Sequence, residues 1–224
     1  YGQTWDMHAT ATPYVLLYHG TPDSAPAFMT FTITGCIGMI GMNAHGVVVG
    51  INNLMGGDGQ IGVTWNFVVR KILQQSNLED ALKCITDVPL AGAHNYLIMD
   101  KTGAGYNVEA MSSRVDVTPL EDDAVVHTNH CIVPHNTTVE RERTADSLTS
   151  SLKRYDKARK KLRTEQITPE MLMALTADES AICVRATPPM HVESCGGVIM
   201  RPQTGEFWAV WGLPSENEYE RFVL

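Results

Sequence analysis

Residues 126–131, with the sequence VHTNHC, form the densest polar cluster of the chain. They follow an apolar run at 124–126, and this pattern predicts a strand over 124–128 whose polar side chains emerge at its end, where functional sites are often built. Histidine, cysteine and asparagine in such a place are the residue types of three chemistries. These are a metal site, a thiol nucleophile with a histidine base, and an amide that donates to an oxyanion.

The residue pattern by itself leaves these three alternatives open. A metal site would use His127, His130, Cys131 and His135, although their spacing matches no usual zinc pattern and no second ligand pair occurs elsewhere. A nucleophile pair would use Cys131, but neighbouring residues on a strand point to opposite faces. The third alternative makes Asn129 the oxyanion donor and gives the histidines packing or hydrogen-bonding roles. A polar strand end without catalytic function is the ordinary alternative to all three.

Three further segments carry residues that are able to line a site. The segment GQTWD at 2–6 places the carboxylate of Asp6 near the start of the chain, where a turn or capping role is the ordinary alternative. The segment GMNAHG at 41–46 precedes three valines and is typical of a hairpin turn with a structural role. The segment INNL at 51–54 ends a predicted strand with two amides, of which Asn53 either lines a pocket or faces solvent.

The elements that must position these residues alternate between strands and pairs of helices. Period-2 alternation, turn residues and helix-start signals give their places. The predicted strands are 14–19, 28–34, 46–51, 96–99, 105–110, 115–118, 124–128, 197–200 and 207–211. The predicted helices are 65–73, one that starts at a capping box at 76–79, one with a leucine and tyrosine stripe over 148–162, and one over 170–175 with Thr168 as N-cap and Pro169 as first residue. Paired helices between antiparallel meanders predict a layered α+β fold in a single domain, 1–224.

Composition narrows the class of protein. The 224 residues carry a net charge of −8, with 44% hydrophobic and 19% charged residues, so we expect a globular protein and no nucleic-acid partner. The basic cluster at 153–163 is interspersed with acidic residues and is typical of a solvated helix face. No apolar run approaches the roughly 20 residues that span a bilayer, so no membrane partner is expected.

Five cysteines without CxxC spacing argue against a disulfide framework and favour an intracellular over a secreted location. The start at Tyr1, without an initiator methionine, is typical of a processed or truncated end, and a signal peptide would then lie outside the sequence.

Four segments together resemble the isopenicillin N acyltransferase family (acyl-coenzyme A:6-aminopenicillanate acyltransferase), which is cysteine peptidase family C45 of the N-terminal-nucleophile (Ntn) hydrolase superfamily. They occur in family order and span nearly the whole chain. They are GQTWD at 2–6, IGMIGMNAHGV at 37–47, HTNHC at 127–131 and ICVR at 182–185.

The resemblance implies a fold and a maturation route. Family members have a four-layer αββα sandwich with two antiparallel sheets, and they cut themselves before a cysteine that becomes the N-terminal nucleophile. That cysteine lies a strand and a turn upstream of the GQ-x-WD segment. The resemblance therefore implies that 1–224 is the larger, post-cleavage part without its first strand and its nucleophile. Its partner would be the small precursor fragment, the α chain.

The resemblance also assigns roles to residues that are present. Asp6 would orient the α-amine of the nucleophile, and Asn129 would hold the oxyanion of the tetrahedral intermediate. Asn53, Arg185 and Ser194 would contact the substrate. No metal or redox cofactor is required, although coenzyme A thioesters serve as acyl donors in transferase members.

One departure from the family pattern concerns the substrate. Penicillin-making members carry an arginine beside the serine of the segment that corresponds to 193–196, where this chain has Cys195. The implied activity is amide hydrolysis or acyl transfer on a small amide or acyl thioester, with penicillin-type recognition not implied. A non-catalytic binding protein on the same scaffold is the alternative.

Overall fold

The computed structural model describes residues 1–121, 124–164, 166–189 and 191–224. A 3₁₀ turn at Ala9–Tyr14 joins the first two strands. The strands are β1 (Gly2–His8), β2 (Val15–Gly20), β3 (Phe28–Ile33), β4 (Ile40–Asn43), β5 (Val48–Asn53), β6 (His94–Met99), β7 (Gly105–Ala110), β8 (Val115–Pro119), β9 (Val192–Arg201), β10 (Glu206–Trp211) and β11 (Glu220–Val223). The α-helices are α1 (Trp65–Ile72), α2 (Leu78–Thr86), α3 (Pro134–Thr137), α4 (Ala145–Thr164) and α5 (Pro169–Thr176).

The strands form two antiparallel sheets. The larger sheet is a meander of seven strands in chain order, from β2 to β8, and the smaller sheet has the order β1-β9-β10-β11. Within the described residues β1 pairs with β9 alone, so it is an edge strand of the smaller sheet. This pairing places the first segment of the sequence beside a strand that lies almost two hundred residues later.

The two sheets stack face to face between layers of helices. Side chains alternate between the two faces of a sheet, and in the larger sheet both faces carry buried apolar residues. One face packs on α1 and α2, where Val69 and Ile85 belong to the same buried cluster as the larger sheet. The other packs on the smaller sheet, through Phe31 on one side and Val198 on the other. Helix α5 covers the outer face of the smaller sheet, where Leu172 lies against the start of β1. The predicted α+β sandwich with the layer order αββα is confirmed.

The predicted helices are confirmed, but the N-cap of α2 lies one residue later than predicted. Helix α5 begins with Pro169, and the Thr168 hydroxyl accepts a hydrogen bond from the Met171 amide, as the sequence signal predicts. Helix α2 begins one residue later than the predicted capping box requires. Its cap is Asn77, whose side-chain oxygen accepts from the Asp80 amide at 2.8 Å.

The predicted strand at 124–128 is wrong. Those residues run outside both sheets, and the side chains of His127 and Thr128 contact those of Glu109 and Ser151. Strands β1, β4 and β11 were not predicted, since they are short or polar and are held by pairing with partners distant in sequence.

The turn between β4 and β5 has the structural role predicted for 41–46. Asn43 is buried, and its side-chain oxygen accepts from the amides of His45 and Val47 while its nitrogen donates to two carbonyls at the end of α1. Gly46 has a φ of +83°, a left-handed conformation that favours glycine. One side chain thus closes the turn and caps a helix.

Helix α4 packs through a polar face. Of its predicted apolar stripe, Leu148 and Leu152 are 39% and 41% exposed, whereas Tyr155 and Leu162 are half-buried. The residue it buries is Ser151, and Arg154 lies on the same side one turn later. Although α4 has 20 residues, no helix in the described part of the chain is long and apolar enough to cross a membrane.

Candidate active site

A cavity of about 550 Å³ runs along β1 between the smaller sheet, the ends of the larger sheet and helices α4 and α5, a size usual for a small-molecule site. All of residues 1–7 line it. Successive side chains of a strand point to opposite faces, so a cavity that touches every residue lies along the edge of β1. Its other walls include Asn53 at the end of β5, the segment at 125–129 and Arg154.

Asp6 is a buried carboxylate at an irregularity of the smaller sheet. In β9 the residue opposite Trp5 is Gly196 and the residue opposite Asp6 is Ser194, so Cys195 is the extra residue of a β-bulge. Such bulges redirect side chains. Here the Ser194 hydroxyl donates to Asp6 Oδ1 at 2.6 Å. Burial raises the pKa of Asp6, opposed by the hydrogen bond from Ser194 and the charge of Arg154.

The Asn129 amide lies at the same cavity, with its two ends bound to different neighbours. Its Nδ2 donates to the Asn53 carbonyl at 3.1 Å, and its Oδ1 accepts from Arg154 Nη1 at 3.1 Å. Its backbone amide donates to Ser151 Oγ at 2.9 Å. These bonds use one of the two Nδ2 hydrogens, so the amide retains a donor for a further acceptor.

A buried carboxylate, Glu109 of β7, fixes the loop that carries Asn129. It accepts hydrogen bonds from His127 Nε2 at 2.8 Å, the Ile132 amide at 2.6 Å, the Val133 amide at 3.2 Å and Asn136 Nδ2 at 3.1 Å. Burial alone would raise the pKa of Glu109. The bonds from His127, Ile132 and Asn136 more than reverse this, so the pKa lies below its ordinary value.

Both ring nitrogens of His127 lie within hydrogen-bond distance of an oxygen. Its Nδ1 faces the Thr128 carbonyl at 2.8 Å, which only accepts, so Nδ1 carries a hydrogen. Its Nε2 lies 2.8 Å from Glu109 Oε1, in a carboxylate that also accepts from three other donors. The result is a buried histidine–carboxylate pair with both side chains 0% exposed.

Side chains from elsewhere bind the loop backbone as well. The amide of Cys131 donates to Glu140 Oε2 at 3.0 Å. Together with the amides bound by Ser151 and Glu109, four amides between residues 129 and 133 are held by side chains. The loop is therefore rigidly placed without belonging to a sheet, as a preorganised donor requires.

His94 forms part of the cavity wall and is the β6 partner of Asn53. Its ring lies between those of Trp65 and Tyr96, with centroid distances of 5.6 and 6.3 Å. Burial lowers its pKa to about 4, and its Nδ1 is buried without a partner among the described residues. It is therefore a neutral group at neutral pH.

The sequence also allowed a metal site and a thiol nucleophile at Cys131, and the surroundings of those residues bear on both. Within residues 1–121, 124–164, 166–189 and 191–224, no group of three or more histidine, cysteine, aspartate or glutamate side chains is placed to hold a metal ion. His127 is bound to Glu109, His130 Nδ1 lies 2.8 Å from Ser151 Oγ, and His135 is exposed. Burial raises the pKa of Cys131, and Glu109 and Glu140 raise it further, so its thiol is protonated at neutral pH.

Of the five residues singled out in the sequence, the structure brings four together. Asp6, Asn53 and Asn129 line the cavity, and Ser194 lies beneath it, bound to Asp6. Arg185 is elsewhere: it is exposed at a separate groove and forms ion pairs with Glu179 and Glu216. Sequence reasoning missed Arg154, Ser151 and Glu109.

The family model of acyl-coenzyme A:6-aminopenicillanic acid acyl-transferase matches residues 1–215. The chain belongs to this family. A curated relative, the 40 kDa form of acyl-coenzyme A:6-aminopenicillanic-acid-acyltransferase from Emericella nidulans, is 24% identical over 139 residues. That match covers 60% of this chain and 38% of the relative, so the chain aligns with well under half of the relative's length.

Solved structures of the Ntn-hydrolase type share the fold. The Caenorhabditis elegans ortholog of N-acylethanolamine-hydrolyzing acid amidase superposes with a TM-score of 0.63 at 13% identity, over 90% of this chain and 87% of that one. A conjugated bile acid hydrolase from Clostridium perfringens gives 0.62 at 9% identity, over 100% and 83%. Penicillin V acylase from Agrobacterium tumefaciens gives 0.52 at 10% identity, over 94% and 74%. The resemblance seen in the sequence is confirmed.

Proposed function

We propose that this chain is the larger part of a cysteine N-terminal-nucleophile enzyme that hydrolyses a small amide, or transfers its acyl group to an amine, through a thioester. The observation that carries the proposal is the convergence of Asp6 and the Asn129 amide on one cavity. The nucleophile is a cysteine upstream of Tyr1, exposed when the precursor cuts itself. The small fragment released by that cut remains as the partner chain.

The edge of β1 supports a place for the nucleophile. A strand joined to β1 by a tight turn before Gly2 would pair with it antiparallel, on the side away from β9. Its first residue would then lie beside the far end of β1. With a strand of about five or six residues, that position is next to Asp6, within the cavity that runs along this edge.

The roles of the remaining groups follow from their surroundings. An α-amine ordinarily titrates close to a cysteine thiol, at about 8 against about 8.5, so the terminal amine is a suitable base for its own thiol. Asp6 orients that amine and stabilises its protonated form. The free Nδ2 hydrogen of Asn129 is donated to the oxyanion, and Asn53 forms the rim of the pocket.

The test uses the natural protein, including the residues upstream of Tyr1, with two asparagine variants. Asn129→Ala is expected to lower kcat by about 100- to 1000-fold, the usual effect of removing one oxyanion donor. Asn52→Ala is the matched control, because Asn52 also lines the cavity; its kcat should stay within about threefold of wild type by the same reasoning. Equal effects of the two substitutions would refute the role of Asn129.

The substrate panel comes from the relatives. N-acylethanolamines, conjugated bile acids, penicillin V, and an acyl-coenzyme A with several amines are each incubated with the protein. Free acid alone indicates hydrolysis, and acylated amine indicates transfer. A protein that binds members of this panel, turns none over and remains a single uncleaved chain would be the non-catalytic binding protein instead.

A further inference from the structure

Arg154 is the one lysine or arginine among the described residues that line the cavity. It belongs to α4, whose other basic residues are largely turned to solvent, and no motif in the sequence marks it. The strand that runs beside Asp6 supplies no cation there, since Cys195 of β9 is fully buried in the core between the sheets. The positive charge of the cavity therefore comes from a helix.

The contacts of α4 on Asn129 involve two residues one turn apart. Ser151 accepts from the backbone amide of Asn129 at 2.9 Å, and Arg154 Nη1 donates to its Oδ1 at 3.1 Å. A guanidinium has donors only, so the atom that it faces must be the amide oxygen. Nδ2 is then directed at the Asn53 carbonyl and the cavity. Arg154, together with the Asn53 carbonyl, thus fixes which end of the Asn129 amide faces the cavity.

The charge of Arg154 also acts on the site. A cation bound to an amide oxygen draws electron density from the amide and makes its N–H a stronger donor. The Nε of Arg154 is buried without a partner among the described residues, so the guanidinium is held by few competing acceptors.

We propose that Arg154 is a positioning residue that fixes the orientation of the Asn129 amide and strengthens it as an oxyanion donor. This inference rests on the proposed function of Asn129. It predicts an effect on the chemical step that passes through Asn129, and little effect on substrate binding.

The kinetic test is a double-mutant cycle in the natural protein. Arg154→Met should lower kcat by about 10- to 100-fold with KM nearly unchanged, since a positioning group contributes less than the donor itself. Arg154→Gln, which keeps an N–H donor without the charge, should fall between wild type and Arg154→Met. In the Asn129→Ala background Arg154→Met should change kcat by less than about twofold. Arg163→Met is the matched control, because Arg163 is exposed in the last turn of the same helix.

The outcomes separate this inference from the proposed function. If Asn129→Ala impairs kcat and Arg154→Met does not, or if their effects multiply, the role of Arg154 is refuted while that of Asn129 stands. A raised KM at constant kcat would make Arg154 a substrate anchor and would also refute it. If Asn129→Ala keeps full kcat, the oxyanion role fails first and the role of Arg154 in catalysis fails with it.

A measurement without turnover completes the test. In protein labelled with ¹⁵N-asparagine, the side-chain amide resonances of Asn129 should shift in Arg154→Met and stay unchanged in Arg163→Met. Unchanged Asn129 resonances in Arg154→Met would contradict the contact on which the inference depends.

Discussion

Replacing the buried carboxylate of Glu109 by an amide should detach the loop that carries Asn129. Glu109 accepts four hydrogen bonds, two at each oxygen, and its side chain is 0% exposed. In Glu109→Gln one oxygen becomes an NH₂ group, so at least two of these bonds become contacts between donors. His127 Nε2 is one of the four groups bound there, and its side chain is also 0% exposed.

The expected loss in the free energy of unfolding is about 2 to 6 kcal/mol, because two buried donors each lose their acceptor at a usual cost of about 1 to 3 kcal/mol. Urea unfolding at pH 7, followed by circular dichroism, measures it. Glu140→Gln is the matched control: Glu140 also binds a loop amide, but its side chain is 13% exposed and accepts from fewer groups, so about 1 to 2 kcal/mol is expected.

The result that would refute this reasoning is a Glu109→Gln protein within about 1 kcal/mol of wild type, since that is the size of one ordinary hydrogen bond. A loss no larger than that of Glu140→Gln would refute it equally. Because the pKa of Glu109 lies below its ordinary value, its contribution is complete above the unfolded-state pKa and is lost as the pH falls through the folded-state pKa. The difference between wild type and Glu109→Gln should therefore shrink in acid.

Three further predictions concern single residues. Asp6→Asn should leave the melting temperature close to wild type and lower kcat by about 100-fold or more, as measured by steady-state kinetics; unchanged kcat would exclude a catalytic role. Burial lowers the pKa of His94 to about 4, so His94 stays neutral in the folded state between pH 4 and 6.5 while the unfolded chain binds a proton. The contribution of His94 to the free energy of unfolding should fall by up to about 3 kcal/mol on acidification over that range. Urea unfolding of His94→Gln at both pH values should show a smaller fall in the free energy of unfolding than wild type. Asn43→Ala should cost about 2 to 3 kcal/mol, because it leaves two carbonyls and two amides of the β4–β5 turn and α1 without their partner; a loss below that of one hydrogen bond in the same assay would contradict the capping role.

Local signals in the sequence predict the elements that depend on local interactions. Thr168 and Pro169 mark the start of α5, and the alternation of β3 is plain in the residue types. Strand β1 has no such signal, since its residues are mostly polar and it exists because it pairs with β9. Pairing over so long a separation is not encoded in a short pattern.

The candidate site divides in the same way. Asp6 and Asn129 stand in motifs and are found from sequence. Glu109 and Arg154 contact a loop that is distant in sequence, and no local pattern indicates which face of their strand or helix meets that loop. A weak signal for Arg154 does exist. Ser151 and Ala158 are small residues on one side of a highly charged helix, and this spacing marks the inward face better than the exposed leucines do.

In the proposed reaction a thiol upstream of Tyr1 attacks the substrate beside Asp6 and Asn129. The most direct measurement is the mass of the acyl-enzyme trapped in the natural protein by rapid acid quench, with the modified residue located by peptide mapping. We expect one acyl group on an N-terminal cysteine upstream of Tyr1. It should form equally well in Cys36→Ala, which removes the one cysteine of this chain among the described residues that line the cavity. An acyl group on Cys36, or turnover that stops in Cys36→Ala, would contradict the proposed reaction.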